Sequence, residues 1–195
     1  TYFNFFYPVL TPMISEIPAF ENKKPCTLVC SNLSSPHPNA LYEERSKAIA
    51  YFEHVKESGF EFYGKGWDPS LHPAYRGFSE DKLATIKYYR FSICYENIHQ
   101  IKGYITEKIF DCFAAGNVPV YWGASNVDQY IPKDCFIDRR EFVSLEALHA
   151  FLSAMQKEEY EGYLTRIRAF LQSDAALLFS HRHFLDTFCQ AILGN

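Results

Sequence analysis

From Tyr95 to Phe110 the chain reads YENIHQIKGYITEKIF, which puts Glu96, Asn97, Tyr104, Glu107 and Lys108 into one short stretch. An apolar run, FSICY, leads into it and a helical pattern, IFDCFAAG, leaves it. Thr106 stands where a helix N-cap belongs, so Lys108 falls in the first helical turn. A cation there opposes the helix dipole and costs stability unless an anion sits nearby. Helix N-termini bind phosphate through their free amides, and a lysine reinforces that. Asn97 and Tyr104 add neutral hydrogen-bonding groups. Glu107 suits the first turn on dipole grounds alone; its functional reading is acceptance of hydrogen bonds from ribose hydroxyls. The segment is therefore a candidate site for a diphosphate and its attached sugar. The plain alternative is a solvated loop and a well-started helix.

Other residues qualify by position. In an open parallel sheet, ligands bind outside the carboxyl ends of the strands. Ser31 and Asn32 follow the first strand-like run, Gly64-Lys65-Gly66-Trp67 the second, Glu96 and Asn97 the third, and Trp122, Gly123 and Ser125 the fourth. All fall on one sheet edge. In "GKG", glycine lets backbone approach a ligand and Lys65 adds a cation; equally, it is a turn carrying a solvated lysine. Arg45 lies in the charge-rich run EERSK, where most such residues are solvated, one helix start beyond the first strand's loop.

The elements that position these residues alternate. Strands are expected at 26–30 (CTLVC), 60–64 (FEFYG), 91–96 (FSICYE), 118–123 (VPVYWG) and 135–142 (CFIDRREF). Helical spacing marks 41–59, 79–89 with Ser79 as N-cap, and 106–116 with Gly116 as the residue beyond its end. From Ser144 onward the pattern is helical. Strands alternating with helices imply βαβ units, a parallel sheet and right-handed crossovers: an α/β, Rossmann-like domain with helices on both faces. Residues 1–25, with Pro8, Pro12, Pro18 and Pro25, read as an extended lead-in or an interdomain hinge, and residues 26–195 as the domain.

Composition narrows the function. The chain has 195 residues, 48% hydrophobic and 17% aromatic, enough for one sizeable core. A net charge of −4 gives no basis for nucleic-acid binding through excess positive charge. No apolar run approaches the roughly 20 residues of a membrane helix. The opening TYFNFFYPVLTP has neither Met nor a basic signal-peptide region, so it reads as a piece of a longer chain. The six cysteines form no CxxC pair and sit mostly in apolar runs, as buried thiols do, which fits a reducing cytoplasm. GxGxxG after a strand and GxxxxGK[ST] are both absent, which argues against a dinucleotide dehydrogenase and a P-loop NTPase. No Asp-x-Asp pair is available for a divalent metal. His181 and His183, two apart on a helix, do not share a face.

The block from Tyr88 to Phe142, YYRFSICYENIHQIKGYITEKIFDCFAAGNVPVYWGASNVDQYIPKDCFIDRREF, resembles the α-1,3/1,4-fucosyltransferases, the family-10 glycosyltransferases. The likeness lies in the ordered series Glu-Asn, Gly-Tyr-x-Thr-Glu-Lys, small-Gly-x-x-Pro-Val, a Gly-containing turn, Ile-Pro and Phe-Ile. It runs from about Cys26 to the C-terminus, less tightly before Tyr88. It implies the C-terminal, GDP-fucose-binding half of a GT-B architecture, in which two Rossmann-like domains face a cleft. By analogy Arg45 and Lys108 would hold the diphosphate, Asn97 and Tyr104 the phosphate-fucose end, and Glu107 the ribose, with Glu96 and Lys65 as further candidate contacts.

The family is inverting and does not rely on a metal at the diphosphate, so no cofactor is expected beyond the donor substrate. Its general base is a carboxylate on an acceptor-side N-terminal domain, which is expected to lie outside this chain. The acceptor would be a hydroxyl of an N-acetylglucosamine-containing glycan, such as lipopolysaccharide or another surface glycan, with the protein cytoplasmic or peripheral to a membrane. The competing readings are a GT-B transferase for another nucleotide sugar and a non-catalytic nucleotide-sugar-binding module.

Overall fold

The computed structural model describes residues 5–55 and 58–194. Five strands form one parallel sheet: β1 (Lys24–Val29), β2 (Glu61–Tyr63), β3 (Tyr89–Tyr95), β4 (Val118–Trp122) and β5 (Ile137–Asp138). Their order is β2-β1-β3-β4-β5, and every pairing is parallel. The chain runs outward from β1 to β2, then returns across β1 to β3. The order therefore reverses between β1 and β3, which is the switch point where such sheets open a crevice at their carboxyl edge.

Right-handed crossovers send helices to opposite faces. Helix α1 (Tyr42–His54) joins β1 to β2, and α4 (Leu145–Ala154) packs beside it, with the Phe52 and His149 rings 5.5 Å apart. On the other face lie α2 (Lys82–Ile86), α3 (Glu107–Ala114) and α5 (Lys157–Leu171). Phe113 of α3 meets Phe170 of α5 at 6.0 Å, and Phe110 meets Phe179 at 4.7 Å. Helix α6 (His181–Leu193) ends at Gly194, whose φ of 70° needs no Cβ penalty. β3 is the central strand and six of its seven residues are buried. The core is formed by β3 together with Val118, Val120 and Tyr121 of β4 and Phe110 and Phe113 of α3.

The expected elements are present, with local corrections. The fifth strand shrinks to two residues because Asp138 accepts from the Arg140 amide and opens a 3-10 turn over Arg139–Glu141. Helix α2 starts at Lys82, not at Ser79. Asp81 is its cap, accepting from the Ala84 amide, while the Ser79 hydroxyl bonds Thr85. The last turn expected in the helix over 41–59 includes positions 56 and 57, which lie outside the described residues. Four of the cysteines are buried, but Cys189 on α6 is exposed. The proline-rich opening segment is seated on the domain: Phe6 packs on Tyr130 and Phe179, and the Ile14 amide donates to the Ala114 carbonyl. Among the described residues no helix is long and apolar enough to cross a membrane.

Candidate functional site

The β1–β3 crevice gathers most of the residues singled out by type and spacing. Arg45 comes from the first turns of α1, and its side chain turns back over the sheet edge. Only 7% of it is exposed. Nη2 donates to the Tyr95 carbonyl at 2.7 Å and to Asn97 Oδ1 at 3.0 Å. The chain after β3 is held in turn, because the Leu41 amide donates to the Asn97 carbonyl and the His99 amide to the Asn39 carbonyl. Arg45 and Lys108 line one cavity, together with Cys30, Ser92, Cys94, Lys82 and Cys112.

The opposite wall is the start of α3. Thr106 is its N-cap, as the spacing implies, yet its hydroxyl caps nothing in the helix. It donates instead to Glu96 Oε2 at 2.6 Å, and the Thr106 amide donates to Glu96 Oε1 at 2.8 Å. The first-turn amides of α3 thus lack a side-chain cap and are available to an anion. Lys108 Nζ lies 3.3 Å from Glu96 Oε2 and 3.3 Å from Glu107 Oε1. Burial alone would lower its pKa, but the two carboxylates outweigh burial and raise it above the ordinary lysine value. For Glu107 the balance runs the other way round. Burial favours the neutral acid, yet Lys108 prevails and lowers the carboxyl's pKa.

The remaining candidates take different places. Glu96 belongs to the cluster but is fully buried, so it meets the crevice only through Thr106 and Lys108. Tyr104 is half-buried on the turn before α3, its phenol pKa raised by burial and by the Glu96 charge. Lys65 is exposed, with its ammonium 4.5 Å from the centre of the Phe78 ring. It does not line the cavity that holds Arg45 and Lys108. Trp122 lies on the far side of β3, edge-on to Tyr95 at 5.6 Å and facing the Arg139 guanidinium at 5.8 Å.

Two features escaped the sequence reading. Lys82 on α2 supplies a third cation to the cavity wall and pairs with Asp111 of α3 at 2.8 Å. A lysine at the head of a short helix carries no signal of which face it will meet. Ser92 on β3 presents a buried hydroxyl with no partner in the protein. Its position inside an apolar strand was the available clue, since a buried hydroxyl normally finds a bond. The crevice thus combines three cations, uncapped helix amides and an amide side chain. Chemically that set can receive a polyanion, with polar groups beside it that suit an attached sugar.

Comparison with known proteins shows the family and the fold. Residues 20–193 match the family model described as glycosyltransferase family 10 (fucosyltransferase) C-term. The rat 4-galactosyl-N-acetylglucosaminide 3-alpha-L-fucosyltransferase 9 is 31% identical over 183 residues, covering 88% of this chain and 46% of the relative. An Arabidopsis alpha-(1,4)-fucosyltransferase is 36% identical over 144 residues, covering 62% of this chain and 36% of its own length. The chain therefore spans less than half the length of these curated relatives.

Among solved structures, an alpha1,3-fucosyltransferase with GDP-fucose superposes with a TM-score of 0.61 at 21% identity, covering 89% of this chain and 48% of that one. The DNA modifying enzyme beta-glucosyltransferase gives 0.56 at 14% identity, covering 97% of this chain and 54% of that one. Both are GT-B glycosyltransferases, and the likeness places the Rossmann-like sheet described above as one half of that fold. With the family model spanning nearly the whole chain, the protein belongs to glycosyltransferase family 10, the fucosyltransferases.

Proposed function

We propose that this chain is the donor-binding half of an inverting fucosyltransferase that moves fucose from GDP-fucose to a hydroxyl of an N-acetylglucosamine-containing glycan. The observation that carries the reading is the meeting of Arg45, Asn97 and Lys108 with the uncapped start of α3 at the β1–β3 switch point. The curated relatives' names supply the fucose and the acceptor class.

In the transfer, an acceptor oxygen attacks the fucose anomeric carbon as the bond from that carbon to the β-phosphate breaks. GDP departs with the bonding pair, and negative charge grows on its β-phosphate. Arg45, Lys108 and the α3 amides stabilise that charge because they are already oriented towards it. Asn97 and Tyr104 position the phosphate-fucose end, and Glu107 accepts from the ribose hydroxyls. The acceptor's proton goes to a carboxylate outside this chain, on the acceptor-side domain. All six cysteines are free, which suits a reducing compartment such as the cytoplasm.

Calorimetric titration tests the donor assignment directly. GDP-fucose and GDP should bind with similar affinity, and UDP-glucose at least about tenfold more weakly, as expected where a base-specific hydrogen bond is lost. Equal affinity for UDP-glucose would move the assignment to another nucleotide sugar.

A further inference from the structure

We propose that Glu96 is a positioning residue, which holds the Lys108 ammonium and the first turn of α3 in the geometry that receives the diphosphate. The inference rests on the donor-site reading above and adds to it a role for a group that touches no ligand.

Glu96 has 0% exposure, and among the described residues Lys108 is the one arginine or lysine that pairs with it. Burying a carboxylate is costly unless it is bonded and paired. Here both oxygens are engaged. Oε1 takes the Thr106 amide at 2.8 Å, and Oε2 takes the Thr106 hydroxyl at 2.6 Å and faces Lys108 Nζ at 3.3 Å. A helix cap alone does not require this arrangement, because the Thr106 hydroxyl could have served the helix directly. Glu96 instead turns that hydroxyl away from the first-turn amides.

The surroundings are shaped to fit the carboxylate. A Cβ on Gly123 would come within 2.4 Å of Glu96 Cγ and 2.5 Å of the Tyr121 hydroxyl, so the backbone beyond β4 can lie against Glu96 only as glycine. The Tyr121 hydroxyl accepts from the Ala124 amide at 3.1 Å and fixes that turn. Lys108 is thus drawn by Glu96 from beneath and by Glu107 beside it on α3, with the Cys94 thiol on β3 also facing it. The Tyr104 phenol shares the Glu96 field, and Lys82 on α2 acts on Glu107.

Glu96→Gln keeps the side-chain shape and removes the charge. Lys108 then has one counter-charge fewer while its burial is unchanged, so it loses its proton at lower pH. The measurement is GDP affinity for wild type and E96Q at several pH values from 7.5 to 9. Ionisation of GDP itself cancels in the ratio of the two dissociation constants. That ratio should grow by about threefold or more across the range, as the buried lysine gives up its proton once Glu96 no longer holds it. In a Lys108→Met background the same substitution should leave the ratio flat.

A ratio constant with pH would mean that Glu96 acts only on the fold, and would overturn the proposal. Failure of wild type to bind GDP at all is a different result, and overturns the donor reading instead. Should E96Q not fold, the Lys108 ammonium can be followed by NMR in the wild-type protein, assigned by its loss in K108M. A signal still mostly protonated at pH 10.5 supports the pairing; titration below that point sinks it.

Discussion

Arg45 Nη2 and Asn97 Oδ1 are joined by a 3.0 Å hydrogen bond that ties the helix after β1 to the end of β3, across the point where the strand order reverses. The same guanidinium lines the cavity and lies 5.0 Å from the centre of the Tyr42 ring. Because the same Nη2 holds the Tyr95 carbonyl, Arg45 has a scaffold role beside the diphosphate contact proposed for it.

Arg45→Ala should therefore lose affinity and stability together. Removing a charge-assisted phosphate contact costs ~1.5–3 kcal/mol, and leaving the Tyr95 carbonyl without its donor costs ~1–3 kcal/mol more in stability. Lys108→Ala should lose a similar amount of GDP affinity. Calorimetry well below the melting temperature separates binding from folding. Unchanged affinity in both variants would remove the diphosphate assignment.

GDP binding should not depend on a divalent metal. Arg45, Lys82 and Lys108 supply positive charge to the cavity. Among the described residues no group of three or more His, Cys, Asp and Glu side chains is disposed to hold an ion. Titrations in EDTA and in excess Mg²⁺ should give the same dissociation constant. Loss of binding in EDTA would mean that an ion completes the site.

Glu107 is the exposed member of the α3 start, its Oε1 3.3 Å from Lys108. Glu107→Gln should weaken GDP more than inorganic pyrophosphate, because an amide offers ribose hydroxyls only one acceptor oxygen. Equal losses for both ligands would assign Glu107 to the helix dipole instead of the ribose.

Much of this was legible in the sequence, for definite reasons. β3 and β4 are apolar runs of strand length bounded by turn residues, and Thr106 and Gly116 bracket α3 by their backbone preferences. The positions after each strand had to share an edge once the sheet was parallel. What sequence could not show is how side chains divide their bonds. Thr106 sits at the cap position but serves Glu96, and Glu96 reads as a candidate ligand contact until Gly123 and Thr106 are seen to bury it. Ser79 was the expected cap, but its hydroxyl bonds Thr85 and Asp81 caps the helix instead. Lys65 and Lys108 look alike on paper, yet one faces Phe78 and the other a buried carboxylate.

Lys23 carries the last prediction. Its side chain is buried, with 4% exposed, beneath the end of α3, where Nζ donates to the Gly116 carbonyl and lies 3.0 Å from the Tyr160 hydroxyl. No carboxylate pairs with it among the described residues, and burial lowers its pKa to about 7 from 10.5. Below pH 7 both folded and unfolded chains hold the proton, and the folded chain bears the full cost of a buried charge. Above pH 7 the folded chain releases the proton while the unfolded chain keeps it up to about 10.5. The unfolded state then binds more protons, so stability rises with pH across that window. The buried thiols act in the opposite direction at higher pH, since burial pushes Cys26, Cys30 and Cys135 up to about 12. The clean interval therefore lies between pH 6.5 and about 8.5, below the free thiol pKa. Urea unfolding across it should show wild type gaining on the order of 1–2 kcal/mol relative to Lys23→Met. The variant should not collapse, because the Tyr160 hydroxyl still donates to the Gly116 carbonyl at 3.1 Å. Parallel stability curves for the two proteins would show that Lys23 keeps its proton throughout, held by the carbonyl end of α3 in spite of its burial.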